Sequence, residues 1–156
     1  MCIPDKNTLS DMWNKEAASI KGYHIHIYTP SPFDSFDARL MIDALEKLFP
    51  EHVKGVYDVK VVGPHTQKNI EVDITSEGFA EVVQWLQMNN PANLSVLVHP
   101  DTGDDIRDHL QAAMWIGHET PMNMEFFDRL KARREAEIEK RLKNASRPKQ
   151  RPAAKR

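Results

Sequence analysis

Cysteine is nearly absent from this sequence: Cys2 is the single one among 156 residues. One chain therefore has no partner for a disulfide and no thiolate set for a metal. No apolar run approaches the roughly 20 residues of a membrane-spanning helix, and the N-terminus lacks the basic-then-apolar layout of a signal peptide. We therefore expect a cytoplasmic protein. Phosphate-binding glycine loops and nucleophile elbows are also missing, which leaves histidine and carboxylate as the candidates for chemistry.

Charge is unevenly distributed along the chain. Residues 1–127 carry 9 Lys+Arg against 19 Asp+Glu, whereas residues 128–156 carry 12 against 4. The acidic body makes nucleic-acid binding an unfavoured interpretation of the basic end, which we expect to be an appendage. These differences divide the chain into an N-terminal arm at 1–20, one domain at 21–127, and a charged helix with a disordered basic tail at 128–156.

Hydrophobic periodicity predicts the order β-α-β-β-α-β within the domain. The predicted strands are 23–28, 57–62, 69–74 and 94–100; the predicted helices are about 36–49, capped by Asp34 or Ser35, and a second after a Ser76 cap. This order is typical of an α+β, ferredoxin-like sandwich with four antiparallel strands arranged 4-1-3-2 and both helices on one face. A Thr102–Asp105 capping box predicts a third helix to about Trp115, and 123–143 reads as a long charged helix.

The first strand carries two histidines at alternate positions. His24 and His26 therefore face the same side, and the antiparallel fourth strand brings His99 beside His24. Three imidazoles in this arrangement can converge on one cation. Glu71 or Asp73 can point to the same side from the third strand, so a set of two histidines and one carboxylate stays open. The face without helices is expected to be an open, partly polar concavity.

Two further histidines have ordinary interpretations. His65 follows Gly63-Pro64 and reads by default as a turn residue. His109 shares a helical stripe with apolar residues, so a hydrogen-bonded core histidine is its default interpretation.

Several stretches resemble the DOPA 4,5-dioxygenase family over roughly residues 21–127: GYHIHIY at 22–28, GPH at 63–65, WLQMNN at 85–90, and LSVLVHPDTGDDIRDHLQAAMWIG at 94–117. The resemblance implies a small ferredoxin-like protein, often dimeric. It also implies an extradiol dioxygenase that cleaves the ring of a catechol such as DOPA with non-haem iron(II). The sequence departs from the family around TQKNIEVDI and in its basic C-terminus.

The family's histidine motifs match five residues here: His24, His26, His65, His99 and His109. On this resemblance we expect His24, His26 and His99 to ligate iron(II), with zinc as an alternative occupant, and His65 or His109 to handle protons. The implied partners are a catechol, O2 and a second copy of the chain, without membrane or nucleic acid. The competing interpretation is a noncatalytic, dimeric ferredoxin-like module that binds a metal or a small molecule.

Overall fold

The computed structural model of the chain describes residues 20–90 and 93–145. Its elements in chain order are β1 Tyr23–Tyr28, α1 Pro32–Leu48, β2 Val53–Val59, β3 Asn69–Ile74, α2 Phe79–Met88, β4 Val96–Pro100, α3 Asp105–Leu110, β5 Met114–Ile116 and α4 Met124–Ala145. The predicted arm, apart from Ile20, and the basic tail from 146 onward lie outside the described residues. Within the described ranges, no helix combines the length and apolar character needed to cross a bilayer.

One antiparallel sheet carries the fold, with the strand order β2-β3-β1-β4-β5. The first four strands confirm the predicted ferredoxin-like order, and β5 is an addition at the edge. The predicted extension of the third helix to Trp115 is wrong, because α3 ends at Leu110 and Trp115 pairs with Leu97 of β4. The added strand hydrogen-bonds the edge of β4, which would otherwise be left without a partner. Trp115 also stacks on Tyr28, with ring centroids 5.7 Å apart.

The apolar core lies between the sheet and the two long predicted helices, as expected. Its strand members include Ile25 and Ile27 of β1, and its helix members include Leu45 of α1 and Leu86 of α2. All four side chains are fully buried. The alternation of β1 therefore places its isoleucines against the helices and its histidines on the opposite face.

Helix α1 begins earlier than predicted, since Ser31 and not Asp34 or Ser35 is its N-cap. The Ser31 hydroxyl accepts from the Asp34 backbone N–H, and the Asp34 carboxylate accepts from the Ser31 N–H. Pro32 occupies the first turn, where its fixed φ suits a helix start and its missing N–H costs nothing. Proline also favours turns, which is why the predicted start lies later in the chain than the observed one.

Three other boundaries also differ from the prediction. Strand β2 starts at Val53, four residues early, because an irregular register between Val53 and Gly55 breaks the alternation that would have revealed it. Gly78, not Ser76, precedes α2, and the Ser76 hydroxyl instead donates to the Ile20 carbonyl. Helix α3 is capped by Asp104, whose side chain accepts from the Arg107 N–H, instead of by Thr102.

The histidine face of the sheet is covered, and the expectation of an open concavity is wrong. The β2–β3 connection and the segment before α4 meet above it through a bridge between His65 and Met122. The Asn123 N–H donates to the Pro64 carbonyl over 2.8 Å, and Phe127 of α4 is fully buried. This cover leaves His26 only 2% exposed, so the site beneath it is largely shielded from water.

Candidate metal centre

The strand register determines where the site forms. His24 lies opposite His99 on β4 and opposite Asp73 on β3, while His26 lies opposite Glu71. The predicted approach of His99 to His24 is therefore confirmed, and both carboxylates lie on the histidine face.

Five imidazoles gather in this place, from three strands or connections and one short helix. The ring centroids of His99 and His109 lie 3.9 Å apart, and those of His26 and His65 lie 4.2 Å apart. Two sets of three share His26, each with ligand atoms all within 4.8 Å of one another: His24, His26 and His99, and His26, His65 and His109. Neither a turn residue nor an isolated core histidine describes His65 or His109, because both are members of the cluster.

The remaining two histidines lie elsewhere. His52 Nδ1 is 2.9 Å from the Thr75 hydroxyl, and His118 Nε2 is 2.8 Å from the Asn93 amide nitrogen. Neither belongs to a set of ligand atoms that could hold a metal ion among the described residues.

Backbone carbonyls fix the tautomer of two rings in the cluster. His99 Nδ1 lies 3.0 Å from the Pro100 carbonyl oxygen, and His109 Nδ1 lies 2.9 Å from that of Asp105. A carbonyl oxygen can only accept, so each Nδ1 carries the proton of the neutral ring. The Nε2 atom of each ring then carries no proton and has a free lone pair, as a metal-binding imidazole nitrogen must.

The Asn69 side chain fixes the tautomer of His26 in the same way. Its Oδ1 is 3.0 Å from His26 Nδ1, and its amide nitrogen donates toward the Gln67 carbonyl at 3.4 Å, which supports this orientation of the amide. His26 Nδ1 therefore donates, and its Nε2 lone pair faces His99 Nε2 across 3.1 Å. With both Nδ1 atoms protonated, two lone pairs oppose each other in a buried place.

A cation resolves this opposition. Ligand nitrogens at neighbouring positions of one divalent metal ion, each bonded at about 2.1 Å, lie about 3 Å apart, close to the separation found here. Neutral imidazoles suit iron, zinc and copper, so the donor set fits the iron(II) expected from the resemblance.

Burial keeps these rings neutral. Desolvation, followed by repulsion from neighbouring imidazoles, lowers the pKa of His65 to about 4 and that of His99 to about 3. The pKa of His26 falls well below its usual value for the same reasons, and that of His109 is lowered chiefly by burial. Near neutral pH these four rings are therefore uncharged, and protons do not compete with a metal ion for their lone pairs.

A carboxylate set borders the same histidines. The side chains of His24, Glu71 and Asp73 form a third group with ligand atoms within 4.8 Å. Burial raises the pKa of Glu71, and Asp73 Oδ1 is a buried atom without a hydrogen-bond partner among the described residues. Glu71 Oε2 lies 3.7 Å from His26 Nδ1, on the side of the ring that Asn69 already occupies.

Two site residues were given no role from the sequence, Tyr28 and Asn69. Tyr28 is the third residue of the histidine face of β1, and its hydroxyl lies 2.8 Å from His65 Nδ1. Burial raises the pKa of Tyr28, so the phenol keeps its proton. Tyr28 could have been predicted from the sequence, because it follows His24 and His26 at the i, i+2, i+4 spacing of one strand face. Asn69 could not, because its place beside His26 depends on the register between β1 and β3.

His24 is a partly exposed member of the cluster. The His24 side chain is 32% exposed and lines a cavity of about 170 Å³ together with Lys21, Lys54 and Asp73. A larger cavity of about 650 Å³ lies near Lys60 and Lys68. None of the clustered histidines lines this larger cavity, so its size does not make it the reaction site.

A ferredoxin-like sheet bearing a shielded histidine cluster defines a class of small α+β protein whose imidazoles could hold a metal ion. The sequence profile of the Dopa 4,5-dioxygenase family matches residues 23–126, and the chain belongs to this family. All five clustered histidines fall within the matched range.

Individual relatives agree with this assignment. The chain is 31% identical over 121 residues to an uncharacterised 21.2 kDa protein of Botryotinia fuckeliana, covering 72% of this chain and 66% of that protein. It is 28% identical over 137 residues to a DOPA 4,5-dioxygenase of Amanita muscaria, covering 80% of this chain and 59% of that enzyme. The match thus spans slightly less than two thirds of each of these relatives.

A solved structure shares the fold. The crystal structure of a proposed dioxygenase from Nostoc punctiforme superposes with a TM-score of 0.66 at 31% identity, covering 75% of this chain and 99% of that chain. This likeness confirms the α+β class and its ferredoxin-like sheet.

Proposed function

We propose that this protein is a non-haem iron(II)-dependent extradiol dioxygenase that cleaves the ring of a catechol such as DOPA. The observation that carries the proposal is the 3.1 Å separation of the Nε2 atoms of His26 and His99 inside the covered site, with each Nδ1 atom placed against an oxygen acceptor. The named activity of the Amanita muscaria relative supports the catechol as substrate. O2 is the second substrate, and the homodimer and the cytoplasmic location remain predictions.

In this proposal His24, His26 and His99 hold the iron. The hydrogen bonds favour these imidazoles over a set containing Glu71, because Glu71 lies near Nδ1 of His26 while the free lone pair of that ring points to His99. Second hydrogen bonds to ligating histidines fix ring orientation and raise ligand basicity, which matches the roles of Asn69 and the Pro100 carbonyl.

The other residues of the site bind, shield and move protons. When bound, iron(II) supplies a Lewis acid that brings both catechol oxygens and dioxygen together. The lone pair of His109 Nε2 is available to take a proton from a catechol hydroxyl, since its Nδ1 is bonded to the Asp105 carbonyl. Phe127, whose ring centroid is 6.1 Å from that of His109, excludes water from this side.

The test begins with anaerobic iron(II) loading of the full chain, followed by admission of air with a panel of catechols that includes DOPA. We expect a yellow ring-opened product from at least one catechol. If fully iron-loaded protein leaves every catechol unchanged, the noncatalytic metal-binding module becomes the better interpretation.

Iron stoichiometry tests the ligands separately. Replacing His24, His26 or His99 by alanine should each lower bound iron, because each change removes one imidazole from the set. His118→Ala is the matched control, since this exposed histidine lies outside the cluster. Stoichiometric iron in all three site variants would show that the ligand assignment is wrong.

A further inference from the structure

We propose that Tyr28 is a positioning residue that donates its hydroxyl proton to His65 Nδ1, so that His65 carries its own proton on Nε2. His65 then faces the site as a hydrogen-bond donor and is not a metal ligand. This inference rests on the proposed function and divides the two proton-handling histidines: His109 accepts a proton, and His65 donates a hydrogen bond from Nε2–H without giving up its proton.

The hydrogen bonds of the Tyr28 hydroxyl carry the inference. The hydroxyl has one proton and, among residues 20–90 and 93–145, two acceptors in reach, His65 Nδ1 at 2.8 Å and Met122 Sδ at 3.8 Å. Tyr28 is 0% exposed, so bulk water does not compete for that proton. An imidazole lone pair is a far better acceptor than a thioether sulfur. In the reverse arrangement, with His65 donating, the Met122 sulfur would be the only acceptor left for the phenolic proton within the described part of the chain.

The backbone holds both partners in place. Tyr28 ends β1, and its N–H donates to the Ser95 carbonyl over 2.9 Å. His65 lies on the connection that is tied to the chain before α4, where the Thr66 hydroxyl donates to the Pro121 carbonyl over 2.6 Å. The short contact between Tyr28 and His65 is therefore imposed by two anchored segments and does not depend on free rotation of an exposed side chain.

His65 differs in this respect from its neighbours. The rings of His99 and His109 bond to carbonyl oxygens, which cannot donate, so their protons are held on Nδ1. His65 bonds to a hydroxyl, which can donate, and its own proton is then on Nε2. Its ring centroid lies 4.2 Å from that of His26 and 5.5 Å from that of His109, within the group of rings that the substrate must approach.

Nitrogen NMR of metal-free protein with ¹⁵N-labelled histidine tests this directly. Two-bond proton–nitrogen correlations distinguish the two neutral tautomers of each ring. We expect the Nε2–H form for His65 and the Nδ1–H form for His99 and His109. An Nδ1–H form of His65 in the parent protein would overturn the inference, and this measurement needs no variant to fold.

Tyr28→Phe then tests the source of the hydrogen bond. The ¹⁵N signal of His65 Nδ1 should move toward that of a nitrogen without a partner. Tyr23→Phe is the matched control, because Tyr23 lies on the same strand but packs against Phe79, with centroids 4.3 Å apart, on the helix face. An unchanged His65 signal in Tyr28→Phe contradicts the proposal.

Kinetics and metal content complete the test. We expect Tyr28→Phe to lower kcat by about tenfold or more with little change in KM, because the Nε2–H of His65 is then no longer held as an aligned hydrogen-bond donor. We expect His65→Ala to retain its iron. An unaltered kcat, or iron lost from His65→Ala, would refute the donor role. If no catechol is cleaved, the proposed function fails, whereas the tautomer in metal-free protein still decides the Tyr28 contact.

Discussion

Replacing Asn69 by alanine should weaken metal binding without touching a ligand. The Asn69 side chain is 2% exposed and its Oδ1 accepts from His26 Nδ1 over 3.0 Å. Without that acceptor the buried ring is free to change tautomer, and the lone pair on its Nε2 is no longer fixed. Loss of such an outer partner typically reduces metal affinity about 10–100-fold, or about 1.4–2.7 kcal/mol. A ring that keeps its proton on Nδ1 then has an unsatisfied N–H, which should lower the metal-free free energy of unfolding by about 1–3 kcal/mol. A ring that moves the proton to Nε2 donates to His99 and no longer offers that lone pair to the metal.

The assay is anaerobic competition for iron(II) against a chelator of known affinity, with urea unfolding of the metal-free protein in parallel. Asn69→Asp is the conservative variant, because a carboxylate still accepts from Nδ1 and raises the basicity of the ring, so affinity should be retained. Asn144→Ala, on the exposed end of α4, is the matched control and should change neither quantity. Parent-like iron affinity in Asn69→Ala would refute the tautomer reasoning for His26.

Three further outcomes follow from the same geometry. The pKa values of His65 and His99, about 4 and about 3, lie below the unfolded value of about 6.5. Below pH 6.5 the unfolded chain therefore binds more protons than the folded chain does. The free energy of unfolding of the metal-free protein should fall as the pH falls from about 6.5 to 3, by up to about 1.4 kcal/mol per pH unit for each ring. A free energy of unfolding by urea that does not change over this pH range would contradict the prediction. Phe127→Ala should lower the free energy of unfolding by about 3–5 kcal/mol, and Phe126→Ala, which truncates a half-buried ring, by clearly less. Glu71→Gln should keep the parent's iron stoichiometry; loss of iron would instead favour the set with one carboxylate.

The local pattern of apolar and polar residues was sufficient to predict the regular strands of this fold. Strand β1 was predicted at its observed bounds, because six alternating residues between a glycine and a threonine-proline turn leave little choice of register. The approach of His99 to His24 followed from topology alone, since the first and fourth strands of this sandwich are antiparallel neighbours. These predictions depend on period and connectivity, which a single sequence displays.

The cover over the site could not be predicted in the same way. It depends on the bridge between His65 and Met122, two residues 57 positions apart in loops without a period of their own. Trp115 was assigned to a helix because the preceding residues have helical spacing, yet its pairing with Leu97 overrides that local preference. Asn69 likewise acquires a role only through a contact across the sheet.

The same geometry explains why a central strand contains imidazoles where valine would pack better. Burying His26 lowers its pKa well below the usual value, so the ring stays neutral and does not carry the extra proton that could hydrogen-bond to His99 Nε2. Proton sharing is also closed to the pair, because Asn69 and the Pro100 carbonyl hold the proton of each ring on Nδ1. These two neighbours thus hold the two lone pairs face to face, an arrangement that a cation from outside the chain would stabilise.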